Sequence, residues 1–183
     1  MKMKLCAVIL SALLCCALRA GATVLPDACG DDSVKFDVST QKQGTELAAP
    51  ETGMAQIVFV ETIDRRGEMG GTTTRFGMDG KWVGANQGNS YFGLAVAPGE
   101  HHLCANWQAT GRKKNVGMAT FTAEAGKVYF YEAKIVMKYQ RVAYGSGIGG
   151  GLREESFDLA QLSNDEGKYR VKLSALSTWK PNK

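Results

Sequence analysis

The stretch NSYFGLAVAPGEHHLCANWQ, Asn89 to Gln108, decides the fold class. Phe92, Leu94 and Val96 alternate on its first arm and Leu103, Ala105 and Trp107 on its second, the period-two signature of half-buried strands. Between them stand Ala97-Pro98-Gly99-Glu100, where Pro98 presets φ for the first central turn position and Gly99 tolerates the positive φ of a type II turn. The spacing predicts a β-hairpin with Trp107 anchored in a core and Cys104 on the opposite face.

Neighbouring segments repeat the pattern. Ala55 to Thr62 (AQIVFVET) carries the continuous apolar run Ile57 to Val60, typical of a strand covered on both sides. Asp79-Gly80 separates TRFGM from KWVGA and predicts a hairpin with a type I′ turn, and Asn86 to Asn89 turns the chain into the next strand. Gly117 to Ala123 and Lys127 to Met137 read as a further strand pair about Glu124-Ala125-Gly126. In the second of these, Tyr129, Tyr131 and Ala133 share one face, and the face with Glu132 and Lys134 is expected to be the more exposed.

Later elements are shorter. A last strand is expected at Ser156 to Leu159. Ser163-Asn164-Asp165-Glu166 matches a capping box, so a short helix is predicted from there towards Leu173, weakened by Gly167. The sum is a mainly β chain: an antiparallel β-sandwich, transthyretin- or immunoglobulin-like, with one short C-terminal helix. An outer-membrane barrel is the rival architecture, disfavoured because Lys, Arg and Glu interrupt both strand faces.

The first residues read as a secretory signal peptide, with Lys2 and Lys4 ahead of apolar Leu5 to Leu18 and a small-residue site at Ala20-Gly21-Ala22. Cleavage is expected after Ala22 at that site, and an uncleaved anchor is disfavoured because an apolar run of about 14 residues falls short of the roughly 17 needed to span a bilayer. Cys15, Cys16 and Cys29 lack a lipoprotein acylation context. Soluble export to the periplasm or beyond is therefore expected, with membrane anchorage the alternative.

This places 1–22 as signal, 23–54 as an arm and linker whose KFDV portion docks, 55–178 as the sandwich domain and 179–183 as a tail. Losing Lys2, Lys4 and Arg19 from 22 basic residues leaves 19 against 18 acidic ones, near +1 instead of the formal +4. Such a balance offers no footprint for nucleic acid. Arg112-Lys113-Lys114 reads as a solvated loop tip. Only Cys29 and Cys104 remain, and two cysteines in an oxidising compartment point to one disulfide between them. A buried free thiol at Cys104 is the alternative.

Chemistry-bearing constellations are sparse. His101 and His102 are adjacent on a strand and face opposite ways, which does not suit one metal ion. His101 is expected at the core edge and His102 outside. Gly145, Gly147 and Gly150 match a dinucleotide-binding spacing without its βαβ context, so no cofactor is expected. Ser90 and Ser146 are not nucleophile elbows, and Asp31-Asp32 and Glu154-Glu155 diverge on extended chain. No catalytic set is recognisable, and the chain is expected not to be an enzyme. Trp82, at the end of the Asp-Gly hairpin, Tyr91, opposite in parity to Phe92, and outward His102 are the candidates for a ligand or partner surface. A pocket near His101, Trp107 and Tyr129, serving an envelope hydrolase or small-ligand carrier, is the alternative.

At MAQIVFVET, DGKWVGANQGNSYFGLAVAPGEHHLCANW and AEAGKVYFYEAKI the chain resembles a family of secreted bacterial proteins and lipoproteins known as a domain of unknown function. The order P-G-E-H then A-G-K-x-Y also looks like PEGA-type and carboxypeptidase-regulatory-like sandwiches. The resemblance implies a sandwich fold and an envelope location. The partner expected of such an exported module is an envelope protein or a cell-wall component. It transfers no catalytic residue.

Overall fold

The computed structural model describes residues 25–41, 47–62, 73–108, 116–141 and 151–182. The expected signal peptide, the Arg112-Lys113-Lys114 cluster, Ser146 and Gly145, Gly147 and Gly150 lie outside them. Among the described residues the order is β1 (Lys35–Gln41), β2 (Ala55–Glu61), β3 (Thr73–Met78), β4 (Lys81–Gln87), β5 (Ser90–Val96) and β6 (Gly99–Trp107), then β7 (Val116–Ala123), β8 (Val128–Arg141), β9 (Gly151–Leu162), α1 (Asn164–Leu173) and β10 (Ala175–Asn182).

The strands form two sheets, β1-β10-β5-β2-β8-β9 and β4-β3-β6-β7. Their facing sides enclose one core, in which Phe59, Phe76 and Phe92 meet at centroid distances of 4.8 to 5.6 Å and Trp107 packs edge-on to Phe157 at 5.2 Å. The β-sandwich with a single C-terminal helix is thus the observed architecture. Most pairings are antiparallel, but β2 runs parallel to β8 and β10 parallel to β5.

The stretch from Asn89 to Gln108 is two strands, but it is not a hairpin. β5 pairs with β2 and β10 in one sheet, and β6 pairs with β3 and β7 in the other, so Ala97-Pro98 carries the chain across the sandwich. Gly99 has φ 135°, wider than a type II turn asks, and already opens β6. Crossing lets Phe92 and Val96 face Leu103 and Trp107 through the core, where a hairpin would set them side by side. The same correction applies to β7 and β8, which also sit in different sheets. The Asp-Gly hairpin is as expected: β3 and β4 pair about Asp79 (φ 51°) and Gly80 (φ 83°).

β2 is covered on both sides. Ile57 and Phe59 face the sandwich core, while Val58 and Val60 join Tyr91, Phe130, Leu162 and Val171 in a second apolar cluster beneath α1. Ser163 caps α1 through its hydroxyl, which accepts from the Glu166 amide. Gly167 is what seats the helix: a Cβ there would come within 2.1 to 2.5 Å of the Phe130 ring. That helix also reverses the expectation for Glu132, which is wholly buried, accepts from Thr62 Oγ1, and pairs with Lys134 Nζ at 2.8 Å and Arg170 Nε at 3.7 Å.

The domain limits are wider than 55–178. β1 pairs along its length with β10, from Lys35 opposite Asn182 to Gln41 opposite Leu176, so the KFDV segment and the expected tail form the sheet edge together. Backbone pairing at that edge satisfies amides that a free tail would leave to water. The final short strand likewise extends to Gly151–Leu162 by pairing with β8.

Candidate functional site

The arm preceding β1 lies on the outer face of the four-stranded sheet. Cys29 and Cys104 form a disulfide with a Cα separation of 5.2 Å, which pins the arm outside β6. Arg75, buried on β3, completes the clamp: Nη1 donates to the carbonyls of Val34 (2.7 Å) and Asp32 (3.2 Å), and Nη2 to the side chains of Asn106 (2.6 Å) and Asp32 (3.2 Å). Burial pulls the Arg75 pKa down against the opposing pull of Asp32. Gln108 exchanges two hydrogen bonds with the Phe36 backbone where the arm enters β1.

This clamp occupies one of the expected surface residues. Trp82 Nε1 donates to the Asp31 carbonyl, the Arg75 guanidinium stacks 4.3 Å over its ring, and a Cβ on Gly30 would fall within 2.4 to 2.7 Å of Trp82. Trp82 therefore packs the arm down, half-buried, with the Arg75 guanidinium over its ring. Tyr91 is 3 % exposed in the cluster under α1, on the far side of the molecule. His102 does face solvent, near Thr120 Oγ1 (3.2 Å) and Glu100 Oε1 (3.6 Å). The three residues do not form one surface.

The alternative set is also dispersed into packing roles. Trp107 is core. Tyr129 packs on Phe121 at 5.0 Å, and its hydroxyl accepts from the Glu124 amide. His101 also packs on Phe121, at 5.5 Å, and holds Asp79 Oδ2 at 2.7 Å and the Ala97 carbonyl at 2.8 Å. Both imidazole nitrogens are thus engaged, which leaves neither to act as a base. Among the described residues no group of three His, Cys, Asp or Glu side chains could hold a metal ion, and no helix is long and apolar enough to cross a membrane.

A concave site that the sequence did not indicate lies on the helix-covered face of the six-stranded sheet. It is a groove of about 940 Å³ between the segment Leu47 to Pro50, the start of β8 and the exposed flank of α1. Phe130, Val128 and Val171 make its floor, Leu47, Ala48, Ala49 and Pro50 one wall, and Lys127, Lys168 and Lys172 reach its rim. Gln56 on β2 also lines it, opposite Val128 in the β2–β8 ladder and with its backbone amide donating to the Lys127 carbonyl at 2.9 Å. Its Oε1 is inaccessible to solvent and accepts no hydrogen bond among the described residues. The signal for this site in the sequence is weak, because Leu47 to Pro50 read as linker and α1 shows little amphipathic contrast.

No family model matches the chain, and neither does a curated protein or a solved structure. Its reading therefore rests on the geometry above.

Proposed function

We propose that this protein is an exported, non-enzymatic binding module of the bacterial cell envelope, whose ligand sits in the groove between Leu47 to Pro50, β8 and α1. The observation that carries the reading is the groove itself. Its volume of about 940 Å³ falls at the upper end of small-ligand sites, and its apolar floor meets polar groups only at the rim. Among the described residues, aromatic side chains fill the space between the two sheets.

Export is supported by the disulfide, since such bridges persist in oxidising compartments, and by the basic-apolar-small order of the first 22 residues. The resemblance of the DGKWVG, PGEHH and AGKVYFY segments to secreted sandwich proteins agrees with an envelope location. The ligand is accordingly an envelope component with an apolar part.

The test is titration with the uncharged fluorescent probe N-phenyl-1-naphthylamine. Saturable one-to-one binding is expected, and it should disappear in Ala48→Phe/Ala49→Phe, which fills the groove from an exposed wall. Absence of saturation, or equal binding by the filled variant, would count against the groove as the ligand site.

A further inference from the structure

We infer that the groove selects a single anionic amphiphile, an acyl chain carrying a carboxylate or phosphate head. The inference rests on the binding role proposed above and specifies its ligand. Its basis is the distribution of charge around the apolar floor. Asn164, Lys168, Val171 and Lys172 all line the groove, and their spacing puts them on one flank of α1. Lys127 approaches from the β7–β8 turn, and no acidic side chain lines the groove among the described residues.

The cations of this region are sorted by partner. Arg170 is paired with Glu132 (3.7 Å) and Glu166 (3.5 Å), and Lys134 with Glu132 (2.8 Å). Lys127, Lys168 and Lys172 make no ion pair among the described residues, although all three border the same cleft. Three like charges around an apolar floor repel one another and lose hydration when a neutral ligand closes the cleft. An anionic head removes both penalties. Lysine suits the task because its methylene stem lies along apolar surface while the ammonium turns to the head group.

The N-terminal turn of α1 contributes Asn164 to the groove; the partial positive charge of that helix end is met by Asp165 and Glu166, neither of which lines the groove. The groove is a cleft bounded by Leu47 to Pro50 on one side and α1 on the other, a shape that admits one extracted chain and not the plane of a bilayer.

The experiment is displacement of N-phenyl-1-naphthylamine by twelve-carbon amphiphiles below their micellar concentrations: dodecanoate, dodecyl phosphate, dodecyltrimethylammonium and dodecyl maltoside. Both anions should compete at least about tenfold more tightly than the cation or the maltoside, and their ratio tells which head fits better. Lengthening the carboxylate should tighten binding by roughly fourfold per methylene until the groove is full.

Lys127→Gln/Lys168→Gln/Lys172→Gln alters exposed side chains and should lose most of the anion preference, each lysine contributing roughly two- to fivefold. If that variant does not fold, the head-group comparison on the unaltered protein decides alone. Probe binding without any head-group preference would overturn this inference and leave the groove reading standing. Absence of probe binding would overturn both. Sedimentation with phosphatidylglycerol vesicles that monomeric dodecanoate cannot reverse would also overturn it, in favour of surface attachment.

Discussion

Nδ1 of His101 lies 2.7 Å from Oδ2 of Asp79, and this contact ties the tight β3–β4 turn to the connection that carries β5 across the sandwich into β6. The other ring nitrogen faces the Ala97 carbonyl at 2.8 Å. Carboxylate and carbonyl are both acceptors, so both nitrogens donate only when the ring is an imidazolium. Asp79 in turn receives the His102 amide at 2.9 Å on its second oxygen.

Stability should therefore fall as pH rises through the His101 transition. Burial opposes the charged ring, but the Asp79 and Ala97 contacts outweigh it and raise its pKa above the usual value of about 6.5. A raised folded-state pKa contributes stability that is complete below the unfolded value and is lost as pH climbs through the folded one. Asp79 has a lowered pKa: burial opposes its charge, and the bonds from His101 and the His102 amide override it. Its share is present above the ordinary carboxylate value of about 4 and is lost in acid. Urea midpoints should peak between these limits, and His101→Gln should flatten the alkaline side at a cost of about 1 kcal/mol.

Cutting the Cys29–Cys104 bridge should destabilise the protein without dissolving the fold. The bridge spans 75 positions, for which loop entropy sets a ceiling of about 4.5 kcal/mol. Cys29→Ser/Cys104→Ala is expected to lower the denaturation midpoint by less than that, because Arg75 and Gln108 still hold the arm. Two reactive thiols in the unreduced, denatured parent protein would disprove the bridge.

Arg75→Met should release the arm even with the disulfide intact. It leaves Asn106 and the Asp32 carboxylate without their buried cation and removes the plane stacked on Trp82. Breaking such a pair costs about 3 kcal/mol. Limited proteolysis is expected to cut between Ser33 and Gln41 in the variant and not in the parent. Equal protection would show that the β1–β10 pairing holds the arm unaided.

Gly167→Ala should be destabilising despite alanine's better helix propensity. Propensity favours the change by roughly 1 kcal/mol, but the new methyl group would overlap the Phe130 ring. Overpacking of this kind costs about 1 to 3 kcal/mol. Pairing the change with Phe130→Leu should recover part of the loss, and a thermal-melt cycle measures the coupling. A stabilised single variant would show that α1 shifts on the sheet at little cost.

Much of the local structure was legible because it rests on near neighbours. Alternation in β5 and β6, the doubly covered run in β2, the positive φ at Asp79-Gly80 and the Ser163 cap depend on residues within one or two turns. The disulfide was legible for another reason: only two cysteines follow the signal-like segment. That Trp82, Tyr91 and His102 share no surface was not legible, since strand parity tells which side a residue faces but not what covers that side. An arm covers Trp82 and a helix covers Tyr91.

By itself the sequence determined a β-sandwich with a late capped helix, inward Leu103 and Trp107, and outward Cys104. Only the tertiary structure decided which strands share a sheet. An apolar period of two is the same whether Pro98-Gly99 closes a hairpin or carries the chain between layers, and that choice depends on β2, β3 and β7 as distant partners. The burial of Glu132 and the groove beside α1 were decided in the same way. Both require residues far apart in sequence to meet on the outer face of the six-stranded sheet, and no local pattern records that meeting.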